Sequence, residues 1–153
     1  MSVAFRRESD EEHLEPKFEL PIPLGPNLVT ARGLTLLEAK VAELEAALPA
    51  ITEEAERKKH LRELRYWRTR LATAELTEAR AGGVVGFGSR VELLLNDKPR
   101  VIELVGHDEA DPVAGKLAFT APLARAMMGA EAGDLLDFGG KEGAIEVVAS
   151  TTI

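Results

Sequence analysis

Apolar residues along this chain follow two different rhythms. Leu34, Leu37, Val41, Leu44 and Leu48 recur at steps of three and four, which places them on one face of a helix. A second seam runs through His60 or Leu61, Leu64, Trp67, Leu71 and Ala74. Pro49 ends the first helix, and Thr52 is read as the cap of the second, with Glu53 and Glu54 in its first turn. The turn between them, from about Pro49 to Thr52, is too short for anything but antiparallel neighbours, so residues 30–80 form a helical hairpin. Thr30 is suited to cap the first helix, although Gly33 stands where a capping box would place Glu. That helix, over about residues 31–48, extends roughly 27 Å at ~1.5 Å per residue.

Beyond residue 81 the rhythm changes. Glycines punctuate short β-type runs at 90–95, 100–105, 116–120, 135–138 and 144–148, and Asn96-Asp97 suggests a hairpin turn between the first two. Pro122 to Met128 reads as one short helix stopped by Gly129. The fold class is therefore α+β: a helical hairpin, then a small antiparallel sheet domain over residues 81–153. Residues 82–88 are glycine-rich but lack the Lys-Ser/Thr of a phosphate loop and precede a strand, so they read as an interdomain linker. Residues 1–29 are polar and carry Pro16, Pro21, Pro23 and Pro26, which suits an extended, flexible tail.

Composition acts mainly by exclusion. The 153 residues include no cysteine, which removes disulfides, thiolate metal sites and cysteine nucleophiles. A formal charge of −7 argues against non-specific nucleic-acid binding by the chain as a whole. Aromatics are too few to line a small-molecule pocket readily, and no cofactor is expected. No apolar run is long enough to span a membrane and residues 1–7 lack a signal-peptide core, so a cytoplasmic location without membrane partners is expected. The first helix leans acidic (Glu38, Glu43, Glu45), while the second carries Arg57, Lys58, Lys59, Arg62, Arg65, Arg68 and Arg70. Interhelical salt bridges are the plain account of most of these charges. Trp67 falls on the seam, and Tyr66 falls off it, turned toward the C-terminal domain. His13 and His60 have no evident partners. His107, Asp108, Glu109 and Asp111 could suggest a metal site, but without a second ligand cluster they read as a solvated acidic turn.

Several short motifs have a familiar order. Phe87-Gly88-Ser89-Arg90-Val91 resembles the opening strand of the C-terminal domain of the Gre transcript-cleavage factors. Residues 105–111, the Gly115-Lys116-Leu117 and 121–129 segments, Gly133-Asp134 and residues 145–148 resemble the motifs that follow, with Ala121 where that family usually has Ser. Upstream, residues 27–34 and 61–67 resemble the two arms of the Gre hairpin. The resemblance covers most of residues 27–149 and leaves residues 1–26 outside. It implies an FKBP-like C-terminal domain and a coiled coil that enters the secondary channel of bacterial RNA polymerase.

In cleavage-competent Gre factors the hairpin tip carries acids that help hold a catalytic Mg²⁺, which needs hard oxygen ligands at a fixed reach. Here residues 48–57 read Leu-Pro-Ala-Ile-Thr-Glu-Glu-Ala-Glu-Arg, with no aspartate between residues 30 and 83. The family's hairpin is also several turns longer, so this one is more like the short-hairpin relatives of the Rnk type. The reading is a polymerase-binding elongation regulator that is not itself an enzyme and holds no metal. Phe119, Thr120, Ala121, Pro122 and Leu123 match the loop that meets the coiled coil at the rim of the polymerase channel, unless Phe119 and Leu123 are simply core. Pro49, Thr52, Glu53 and Glu54 form the hairpin tip, where acids in a first helical turn also complement the helix dipole. Lys58, Arg62 and Arg65 form a basic stripe that could touch nascent RNA or an acidic channel wall, against the plainer reading of a solvated, salt-bridged face. Three alternatives stand beside this reading: cleavage through Glu53 and Glu54, a peptidyl-prolyl isomerase, or a hairpin module for another partner.

Overall fold

The computed structural model describes residues 19–80 and 82–153. The fold begins with a two-residue strand β1 (Leu28–Val29), helix α1 (Ala31–Ala47), a 3-10 turn (Leu48–Ala50), helix α2 (Glu54–Thr73) and strand β2 (Glu75–Leu76). The contacts between the helices run in opposite order along the chain. Arg57 reaches the Leu48 carbonyl, His60 the Leu44 carbonyl, and the Lys40 ammonium lies over the Trp67 ring. The hairpin is therefore antiparallel, as its short connection predicts. Its apolar seam is Val41, Leu44 and fully buried Leu64, with Leu48, Trp67 and Leu71 packed against them.

Two details of the hairpin differ from the sequence expectation. The cap of α2 is Glu53, not Thr52: the Glu53 carboxylate accepts from the Glu56 amide at 2.8 Å. Glu53 has the extended backbone of a cap and satisfies the orphan amide three residues on, that of Glu56. His60, which had no partner in the sequence, meets the Leu44 carbonyl at 2.6 Å and ties the two helices together.

Residues 27–29 were grouped with the tail on composition, but they are held in place. Leu28 and Val29 pair in parallel with Glu75 and Leu76, and Asn27 and Val29 are buried. A strand of two residues has too little pattern to be seen in a sequence, and its partner after α2 was likewise missed. Residues 1–18, including His13 and most of the expected tail, lie outside the described residues.

The C-terminal domain is a five-stranded sheet in the order β5-β4-β3-β7-β6. Its strands are β3 (Ser89–Leu95), β4 (Lys98–Val105), β5 (Lys116–Ala118), β6 (Leu135–Phe138) and β7 (Lys141–Thr152). Asn96 and Asp97 both take positive φ, as the two central residues of a tight β3–β4 hairpin require. Helix α3 (Pro122–Met127) closes one face, burying Leu123, Ala124 and Met127 on Val91, Leu93, Ile102, Leu104, Ile145 and Val147. The sheet is not wholly antiparallel, because β5 runs parallel to β4. The 3-10 turn Pro112–Ala114 between these strands, followed by Gly115 at φ 80°, brings the chain back in that direction. The 82–88 segment is more than a linker. Val85 is buried and exchanges backbone hydrogen bonds with Ala130 and Gly129, which seals the edge of the core.

Candidate functional site

The hairpin is fixed to the sheet domain by a polar clamp at its base. Asn27, just before β1, donates its side-chain amide to the Arg70 carbonyl at 2.8 Å and accepts from the Arg70 guanidinium at 2.7 Å. The same guanidinium donates through Nε to Asp108 at 2.6 Å, and Tyr66 donates its hydroxyl to the other Asp108 oxygen at 2.6 Å. One turn away, Thr30 caps α1 by accepting from the Gly33 amide and donates its hydroxyl to Glu109 at 2.5 Å. Arg32 completes the set with an ion pair to Glu109 at 2.9 Å.

Each part has a local cause. The loop after β4 turns at Gly106 because a Cβ there would collide with the Leu28 carbonyl oxygen. That close approach sets Asp108 and Glu109 directly on the helix ends. Gly33 is explained by the same contact, since a side chain there would meet the Glu109 carboxylate at 2.9 Å. The space left by the missing capping-box Glu is filled by a carboxylate from 79 residues further on.

The segment 107–111 is therefore not a solvated acidic turn. Glu109 is buried, and Asp108 faces an Arg70 side chain only 2% exposed. The buried Glu109 and largely buried Asp108 carboxylates each accept from a charged partner and a hydroxyl, as groups withdrawn from water must. Arg70 was the functional residue that sequence reading missed, because nothing distinguishes it from Arg68 in the same basic run. Tyr66 is turned toward the C-terminal domain, as its off-seam position suggested.

The phenol of Tyr66 is pushed up to about 12, first by burial, then by its hydrogen bond to Asp108 and that group's charge. Because the folded value lies above the ordinary value near 10, its stabilising effect is present below about pH 10. It fades as pH rises toward 12. Tyr66 is the only tyrosine, so absorbance titration should show a single phenolate step near pH 12. Asp108→Asn should move that step part of the way back, while a step near pH 10 in the parent chain would mean the contact is not made.

The hairpin tip is occupied with its own structure. Pro49 lies in the 3-10 turn, Thr52 is exposed, Glu53 caps α2, and Glu54 lies 3.6 Å from Lys58 on its own helix. Among the described residues no three His, Asp or Glu side chains are grouped to hold a metal ion. In the basic stripe, Arg65 makes a two-pronged pair with Glu19 at 2.8 and 2.9 Å, and Arg62 has no carboxylate partner among the described residues. The expected interhelical ion pairs reduce to one, Arg68 with Glu45 at 2.8 Å. Within the stripe, Lys58 and Arg65 have carboxylate partners, and neither partner belongs to α1.

Residues 119–123 divide between the two readings. Leu123 is core, and Ala121 packs against it. Half-buried Phe119 meets Phe87 and His107 edge-on at 5.4 and 5.6 Å, and Thr120 lies 2.9 Å from the His107 ring. Pro122 is exposed at the start of α3. Among the described residues no hydrogen bond or ion pair joins this loop to either helix.

These parts define a class of protein in which a short helical hairpin is joined to an α+β domain through a polar clamp. Residues 80–149 match the family model described as transcription elongation factor, GreA/GreB, C-terminal. A GreA of Allorhizobium ampelinum is 38% identical over 74 residues, covering 45% of this chain and 46% of that protein. A GreA of Rhizobium leguminosarum bv. viciae is 33% identical over 98 residues, covering 63% and 60%. The chain thus spans about half the length of the curated relatives it matches. The solved GreA/GreB factor of Nitrosomonas europaea is 21% identical and covers 81% of this chain and 98% of its own, at a TM-score of 0.40, too loose to carry weight. Residues 80–149 are thus similar to the C-terminal domain of the GreA/GreB transcription elongation factors.

Proposed function

We propose that this protein is a transcription elongation regulator that binds RNA polymerase and does not stimulate transcript cleavage. The match of residues 80–149 to the GreA/GreB C-terminal domain carries the first half. The C-terminal domain, through Phe119, Thr120 and Pro122, docks at the rim of the secondary channel. The clamp of Asp108 and Glu109 on Arg70, Tyr66 and Thr30 then aims the hairpin inward. In this reading the hairpin is a short coiled coil, the sheet domain is FKBP-like, and the protein works in the cytoplasm with the polymerase.

The second half rests on the hairpin tip. Helix α1 has 17 residues, about 26 Å at ~1.5 Å per residue. Of the carboxylates at its end, Glu53 is spent on the cap and Glu54 faces Lys58. Among the described residues no third ligand is grouped with them to give the ligand number that metal-assisted hydrolysis needs. The protein would occupy the channel without supplying its chemistry. The test is capture of core polymerase by the tagged chain. Binding that a Gre factor displaces is expected, and binding indifferent to that competitor would remove the proposal.

A further inference from the structure

The chain just before β1 is tied to α2 at two points. At one end the Glu19 carboxylate accepts two hydrogen bonds from the Arg65 guanidinium, at 2.8 and 2.9 Å. At the other, the Asn27 amide donates to the Arg70 carbonyl and its oxygen accepts from the Arg70 guanidinium. Arg65 and Arg70 are about 7.5 Å apart along the helix axis at ~1.5 Å per residue. The chain from Glu19 to Asn27 could reach about 26 Å at ~3.3 Å per residue. It therefore has slack between its anchors and forms a bow, with a bend at Gly25, whose φ of 89° most residues avoid.

Residues 20–24 of the bow read Leu-Pro-Ile-Pro-Leu. Each proline fixes its own φ and holds the residue before it extended, so the run is ordered without a hydrogen-bond ladder. Its apolar side chains are not spent on the molecule's own core. Ile22 is 43% exposed, Leu24 is 93% exposed, and Pro21 is exposed beside them. Leu20 borders a groove on α2 next to Leu61. An extended run of prolines and apolar side chains, already ordered, loses little freedom on binding and suits a hydrophobic groove. Its place in the fold says which partner meets it. Both anchors lie in the half of α2 nearer the sheet domain, so whatever receives the hairpin meets the bow where the hairpin emerges.

We propose that residues 20–24 dock in an apolar groove of RNA polymerase at the mouth of the channel that takes the hairpin. This rests on the reading of the hairpin as an arm inserted in that channel. It adds a contact that neither the hairpin tip nor the C-terminal domain supplies.

Ile22→Ser with Leu24→Ser removes the exposed apolar groups and leaves both anchors in place. Binding of the full-length variant to core polymerase is expected to weaken at least about tenfold, as the loss of two buried apolar side chains implies. Its urea midpoint should not change. Ile22→Val with Leu24→Met, which keeps the run apolar, should bind like the parent. Parent-like binding by the serine variant overturns the proposal while leaving polymerase binding intact. Weakening of the same size by Val113→Ser, at a valine 99% exposed on the sheet domain, also overturns it, because general apolar adhesion would then explain the loss. A parent chain that sediments as a dimer, with the serine variant a monomer, would assign the bow to a second copy and equally overturns it. No binding by the parent chain at all would remove the polymerase reading and this contact together.

Discussion

Arg70→Ala is expected to cost about 3–5 kcal/mol, the usual penalty for removing one partner of a buried ion pair. The guanidinium is 2% exposed and joins Asp108 to Asn27, so its loss leaves the Asn27 amide oxygen and one Asp108 oxygen without their donor, and Asp108 with only the Tyr66 hydroxyl. Arg70→Lys should not restore the loss. An ammonium has donors enough, but from one nitrogen it cannot match the two positions that Nε and Nη2 occupy in the fixed fork of a guanidinium. Urea unfolding measures the change, and amide exchange locates it: protection should fall first at β1, at β2 and in the last turn of α2. A loss below about 1 kcal/mol would mean the pair behaves like an exposed one.

Gly106→Ala is the second large effect, and it is purely steric. Gly106 does not need positive φ, but its added methyl would be driven into the Leu28 carbonyl oxygen, with the Val29 Cα also within contact distance. Either β1 must leave its pairing with β2, or the loop carrying Asp108 and Glu109 must lift from the helix ends. Overpacking of this kind costs about 1–3 kcal/mol, and more where backbone rather than a side chain must yield. Gly86→Ala is the control, since a Cβ there meets nothing within 4 Å, and it should change stability by less than about 0.5 kcal/mol. Equal effects at the two positions would contradict the close approach at the junction.

What could be read in the sequence was whatever repeats or has local grammar. Leu37, Val41, Leu44 and Leu64 announce the helical hairpin by their spacing, and Asn96-Asp97 announces the β3–β4 turn by residue type. The junction has neither property. Asp108 and Glu109 look like solvated acids until Gly106 brings them to the helix ends, and Arg70 looks like one more surface cation. One local signal was present: Gly33 breaks the capping box, and a glycine in a first helical turn indicates that something approaches closely. Its partner, 79 residues from the cap, could be identified only by folding the chain. The parallel pairings of β1 with β2 and β5 with β4 involve two or three residues each, too few for any alternation to show. Among the candidate sites, the tip residues stand at the tip as expected. Glu53 has in addition a structural part as the cap of α2.

The central claim separates polymerase binding from transcript cleavage, so both should be measured on one sample. The decisive measurement is cleavage in a backtracked elongation complex saturated with the protein, with occupancy followed in parallel. Full occupancy with no cleavage above the polymerase's own rate is the predicted result. Cleavage that depends on Glu53 and Glu54, or an absence of binding altogether, would contradict it.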